Sequence, residues 1–315
     1  NGSHSTNPDS VGQLAFQWSI GRTPGEAVQL SDFDTATPSF VPNQLGEYVF
    51  GLAVSNGKAT GIQDLVIILV VDQAFAQRGG MIEIPNGQFI MGTDGEASFA
   101  DQRPAHTVTV STFWIDSVEV TTSQYQLCSN TGECTSAGQR PGCNAGRNDR
   151  DDHPINCVTW DQANTFCIWA GKRLPTEAEW EKAARGDDER LYPWGNTGPH
   201  LRLLEDPNLK LLNFNDNMGT TDVVGNYPDG RSYYGAHNMA GNVMEWTADY
   251  FDRNYYSESP AIDPRGPEDG SLRVARGGFF GVGFSEAIST TVRNATPPTA
   301  SEPGLGFRCV RTDKP

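Results

Sequence analysis

The chain of 315 residues has no apolar run longer than residues 65–71, about a third of what a membrane span requires. Basic residues are scarce, 23 Lys and Arg against 39 Asp and Glu, for a net charge of −16. That balance excludes a general nucleic-acid binder and opposes docking on anionic lipid, both of which need clustered positive charge. Only five His occur; none is paired at metal-ligand spacing, and Cys-x-x-Cys is missing, so zinc is not expected. No export signal is visible. Residues 1–5 read as an expression scar, so a signal or lipid anchor upstream of residue 1 is compatible with the sequence.

What is present is turn-rich and folded: 34 Gly, 20 Pro and 7 Trp at 37% hydrophobic content. At about 150 residues per domain, this length suggests two domains or one large one. All six cysteines (Cys128, Cys134, Cys143, Cys157, Cys167, Cys309) lie in the later part of the chain. An even count in an acidic, Thr/Asn/Gly-rich chain points to disulfides in an oxidising compartment. An extracellular or cell-surface location is expected, with the periplasm as the alternative; six reduced thiols are the competing reading.

Residues 6–72 read as an all-β module. Leu14, Phe16, Trp18 and Ile20 alternate, as do Tyr48, Phe50, Leu52 and Val54, then Leu65, Ile67 and Leu69; a period of two sends one set inward. Ser55-Asn56-Gly57-Lys58 is a hairpin signal. With Thr37-Pro38-Ser39-Phe40 and Gly46-Glu47-Tyr48-Val49-Phe50, the stretch resembles the Ig-like, PKD-like sandwiches of bacterial surface proteins. Residues 73–80 read as a linker and 81–315 as a second domain. Two helices are expected there. Thr159 with Gln162 and Thr176 with Glu179 make capping-box patterns, closed by Gly171 and Gly186. After Gly186 the chain reads as loop and short strand.

Met81-Ile82-Glu83-Ile84-Pro85, Gly87-Gln88-Phe89-Ile90-Met91-Gly92 and Pro154-Ile155-Asn156-Cys157-Val158-Thr159-Trp160 begin a series of blocks. Gly171 to Glu181, Tyr192-Pro193-Trp194-Gly195, Asn238 to Trp246, Arg276-Gly277-Gly278 and Gly306-Phe307-Arg308-Cys309 complete it. In this order, over about 81 to 311, they resemble the formylglycine-generating enzyme (sulfatase-modifying factor) domain. The resemblance implies an α+β, C-type-lectin-like fold and a Cys167–Cys309 disulfide. Cys128 with Cys134 and Cys143 with Cys157 are the pairs expected of the other four, whose pairing the sequence leaves open. In the Gly171 to Glu181 block the bland reading is preferred: its charged residues cap and start a helix. Trp180, Trp194 and Trp246 read as core residues.

The same resemblance implies structural Ca2+. One site would use Asn238, Gly241, Val243 and Glu245, a bent loop offering side-chain and main-chain oxygens of the kind Ca2+ takes. The alternative is an ion-free turn with Glu245 in a salt bridge. A second site would use Asn213, Phe214, Asp216 and Met218, the alternative there being an Asx-turn loop.

The family's enzymes oxidise a substrate cysteine with copper held by two thiolates a few residues after the Arg-Gly-Gly motif. Here that stretch is Phe279-Phe280-Gly281-Val282-Gly283-Phe284-Ser285-Glu286-Ala287, and no cysteine lies between Cys167 and Cys309. Thiolate is what selects Cu(I), so copper and formylglycine formation are not expected, and no catalytic residue is assigned. Phe279, Phe280, Phe284, Ser285, Ser289, Thr290 and Thr291 instead read as an adaptable surface for a protein or peptide ligand. Family members without the cysteine pair include the variable proteins of diversity-generating retroelements. Buried Phe279 and Phe280 are the bland alternative, and a maturation-type enzyme with other chemistry is the alternative function.

Overall fold

Alternation of Tyr48, Phe50 and Leu52, all buried, sets the inward face of the central strand in the first of two units, Asn1–Gln77 and Arg78–Pro315. The computed structural model describes residues 14–23, 27–42, 46–56, 60, 64–70, 80–95, 99–215 and 219–314. In the first unit the described elements are all strands: β1 (Ala15–Arg22), β2 (Leu30–Ser31), β3 (Ser39–Phe40), β4 (Gly46–Ser55) and β5 (Asp64–Val70). β1, β4 and β5 form one antiparallel sheet in that order, and β2 pairs with β3. Trp18 opposes Leu52 and Ile20 opposes Phe50, so the first two expected sets share a face.

The third set is corrected. Phe50 opposes Val66, Val66 packs against the core of Trp18, Tyr48 and Phe50, and Leu65 is 68% exposed. A shift of one residue exchanges the two faces of a strand. The expected linker at 73–80 lies outside the described residues except for Gly80, as do Gly57 and Lys58 of the hairpin signal.

The second unit contains β6 (Met81–Ile84), β7 (Gly87–Met91), β8 (His106–Val110), β9 (Phe113–Asp116), β10 (Met244–Tyr250), β11 (Arg273–Arg276), β12 (Asn294–Thr296), β13 (Leu305–Gly306) and β14 (Val310–Arg311). They form sheets ordered β12-β11-β10-β13, β14-β9-β6 and β7-β8. Among the described residues four α-helices accompany them: α1 (Thr122–Thr131), α2 (Trp160–Trp169), α3 (Glu177–Arg185) and α4 (Pro199–Glu205). The expected capping boxes start α2 and α3, with Thr159 accepting from Gln162 N and Thr176 from Glu179 N. Sequence reading missed α1, although Thr121 and Gln124 form the same box. It also missed α4, signalled only by Pro199 at its first position.

Among the described residues, three apolar clusters hold this unit together. Tyr125, Phe166, Trp246 and Phe307 belong to one, Phe89, Phe113, Trp180 and Tyr256 to a second, and Tyr192, Leu211, Phe214 and Ile288 to a third. Disulfides join Cys128 to Cys134, Cys143 to Cys157 and Cys167 to Cys309. No helix among the described residues is long and apolar enough to cross a membrane.

Candidate functional site

Helix α3 carries acidic residues on a buried face, and two arginines from distant segments meet them. Arg276, at the end of β11, donates to Glu177 Oε1 at 2.8 Å and Glu181 Oε2 at 2.6 Å. Arg293 donates through Nε and Nη2 to Glu177 at 2.7 and 2.9 Å. Burial pushes the Glu177 carboxyl upward, but Arg293 and Arg276 overcome that and hold it below its ordinary range. Arg276 also donates to the Thr290 and Thr291 carbonyls. The segment between Arg276 and Arg293 is therefore clamped at both ends onto one carboxylate, which fixes its base.

A second polar cluster surrounds Asn238. Glu245 is buried and bound by Arg308, with Nε to Oε2 and Nη2 to Oε1 both at 2.7 Å; Trp180 Nε1 adds 2.8 Å to Oε2. Buried Glu119 accepts from Asn238 Nδ2 at 3.0 Å and Asn242 Nδ2 at 2.8 Å. Burial, reinforced by the nearby Glu245 charge and opposed by Arg308, pushes the Glu119 carboxyl up to about 7.

The expected calcium ligands can be tested here. Asn238 Oδ1 and Asn213 Oδ1 are buried with no hydrogen-bond partner, and they are the side-chain amide oxygens expected to bind the two ions. A buried oxygen without a donor is costly, so an oxygen-seeking cation suits both positions. Gly241 has φ +78°, and a Cβ on it would meet the Asn213 carbonyl oxygen at 2.3 Å. That close approach brings the two loops together. Glu245 forms the salt bridge of the alternative reading, so it is not a free ligand. Its Oε1 accepts one bond and keeps a lone pair for a cation. Asp216 and Met218 lie outside the described residues.

The segment after Gly278 divides into exposed and buried parts. Phe284 is 55% exposed, while Phe280, Ser285 and Ser289 are half-buried. Phe279 is also half-buried, and its ring lies against Gly304, where a Cβ would come within 2.4 Å. Thr290 and Thr291 are corrected: both are buried. Thr290 Oγ1 donates to the Arg190 carbonyl at 3.0 Å and Thr291 Oγ1 to Gln102 Oε1 at 3.1 Å. Their hydroxyls are spent inside the fold, so they line no surface.

The sequence pattern of the sulfatase-modifying factor enzyme 1-like domain matches residues 69–313. The chain belongs to that family. It is similar to a formylglycine-generating enzyme of Streptomyces coelicolor, at 33% identity over 290 residues, covering 73% of this chain and 88% of that protein. It is also similar to the inactive C-alpha-formylglycine-generating enzyme 2 of Mus musculus, at 29% identity over 282 residues, covering 75% and 86%. Treponema denticola variable protein 1 shares the fold with a TM-score of 0.60 at 23% identity, covering 74% of this chain and 95% of that one. The sulfatase-modifying factor family thus includes enzymes and inactive members, and this chain has its C-type-lectin-like domain.

Against that family background, the cysteines stand out: all six are in disulfides and none is free. The expected helix-starting role of Thr176 and Glu179 is present, but Glu177 and Glu181 do more than start a helix. Their burial against Arg276 and Arg293 carried no local sequence signal, because the partners lie 95 or more residues away. Trp180 and Trp246 are buried, as core residues should be; Trp194 is half-buried and stacks on Tyr192 at 5.3 Å.

Proposed function

We propose that this protein is a non-catalytic ligand-binding member of the sulfatase-modifying factor family. The observation that carries this reading is that every cysteine is tied in a disulfide, while the segment after Arg276-Gly277-Gly278 contains none. Copper-dependent oxidation of a substrate cysteine needs thiolates that this chain does not offer. The reading is supported by a segment pinned at its base by Arg276 and Arg293, in which Phe284 is exposed and Phe280, Ser285 and Ser289 are half-buried. Phe279 supports it from below.

The ligand proposed is a protein or peptide. Aromatic side chains supply contact area at low entropy cost, and hydroxyls adapt their hydrogen bonds. Resemblance in fold to a variable protein supports a role in display, as for proteins diversified by retroelements. Structural Ca2+ at Asn238 and Asn213, an Ig-like role for the first unit as a spacer, and an extracellular or cell-surface location belong to the same proposal. Disulfides support an oxidising compartment.

Panning a random peptide display library against the whole protein tests this reading. Enriched peptides should lose binding to a Phe280→Ala, Phe284→Ala double variant that melts at the wild-type temperature. Peptides that bind both proteins equally would place the binding surface elsewhere. A variant that no longer folds would assign both rings to the core.

A further inference from the structure

A cavity of about 430 Å3 opens on the second unit, lined in part by Thr112, Trp160, Asn164, Arg173, Glu179 and Arg265. None of residues 279–291 borders it, so it is separate from the proposed display surface. Its size falls in the range of small-molecule sites.

Two arginines and two carboxylates line this cavity, so its formal charge is zero, and what is left for a ligand depends on how they are paired. Glu179 is held by both terminal nitrogens of Arg173 at 2.6 Å. The other carboxylate, Asp263, accepts from Ser111 N and Oγ, each at 2.7 Å. Both acids therefore already have donors. Arg265 is exposed and has no hydrogen-bond or ion-pair partner among the described residues, so its guanidinium donors are open to a ligand at the cavity mouth, while Asp263 keeps a charge that only neutral donors meet. The backbone that carries it is fixed: Asp263 N donates to the Thr109 carbonyl at 2.9 Å, and Pro264 is buried.

The remaining lining is built and partly unused. The Trp160 indole is locked by its Nε1 donating to the Thr247 carbonyl at 2.7 Å and by Arg273 stacked 3.7 Å over the ring. The Asn164 amide has no partner among the described residues. Thr112 Oγ1 accepts from Asn86 N at 3.0 Å, which leaves its proton free to donate. A rigid aromatic wall, an amide, a hydroxyl and an unpaired guanidinium match a ring that carries hydroxyls and one carboxylate. A bare anion would leave the wall and the amide unused, and a neutral sugar would leave Arg265 unused.

We infer that this cavity binds an acidic sugar, a uronate, with its carboxylate on Arg265, its ring against Trp160 and its hydroxyls on Asn164 and Thr112. Ligand-observed NMR with calorimetry on the whole chain, using glucuronate, glucose and benzoate, tests it. Glucuronate should bind, and glucose and benzoate should bind at least about tenfold more weakly. Arg265→Gln should weaken glucuronate by at least about tenfold at an unchanged melting temperature. Asn164→Ala should weaken it to a smaller degree, and Phe284→Ala should not affect it. Should Arg265→Gln fail to fold, Asn164→Ala and the benzoate comparison carry the test. Absence of glucuronate binding, equal binding of benzoate, or wild-type affinity in Arg265→Gln or Asn164→Ala would overturn the inference.

Discussion

Arg276 is buried and serves two carboxylates, Glu177 and Glu181. Replacing it with Met would leave Glu181 without its 2.6 Å partner and Glu177 dependent on Arg293. Breaking a buried pair from one side costs about 3–5 kcal/mol, so Arg276→Met should lower the urea midpoint by a corresponding amount. Exposed Glu286→Gln should hardly change it. His153 gives a pH signature. Burial, then the Arg150 charge, holds its imidazole below the ordinary value of 6.5. The unfolded chain therefore binds the proton more readily, and its contribution to stability is present above about pH 6.5 and lost as pH falls toward the lowered folded value. Urea denaturation at pH 7 and pH 5 should show a larger loss in wild type than in His153→Gln. Equal losses would remove this account of His153.

At the scale of elements, Cys167 on α2 is joined to Cys309, just before β14, across a sequence separation of 142. Closing so long a loop removes unfolded-state entropy equivalent to about 4–5 kcal/mol in the chain-entropy model. A Cys167→Ser, Cys309→Ser protein should lose stability of that order in denaturant titration. The elements also separate what the sequence made legible from what it hid. α2 and α3 were legible because their caps and apolar spacing lie within ten or so residues, and the family blocks showed the fold beyond them. The face of β5 was misread because a nearly continuous apolar run has no period to choose between Val66 and Leu65. Thr290 and Thr291 looked like surface residues because their partners, Gln102 and the Arg190 carbonyl, are remote in sequence. A salt-bridged Glu245 was one of the two readings of its loop, but Arg308 as the partner was hidden for the same reason.

For the whole molecule, calcium should act as a folding ligand. Binding to the native state alone stabilises by RT ln(1 + [L]/Kd), about 2.7 kcal/mol at a hundredfold excess over Kd. Scanning calorimetry in excess calcium and in chelator should show a higher melting temperature with the ion. An Asn213→Ala, Asn238→Ala double variant should not respond. Glu245→Gln is the poorer probe, since it also disturbs Arg308 and Trp180. The same melting temperature in calcium and chelator would leave the two orphan oxygens without that explanation.

The proposed function is binding on a family scaffold without oxidation of cysteine. Its most direct test supplies the purified protein with Cu(I), oxygen and a cysteine-containing peptide, and follows the peptide by mass spectrometry. The cysteine should stay unmodified at every time point when compared with copper alone. Conversion of the cysteine to formylglycine, dependent on the protein, would contradict that function.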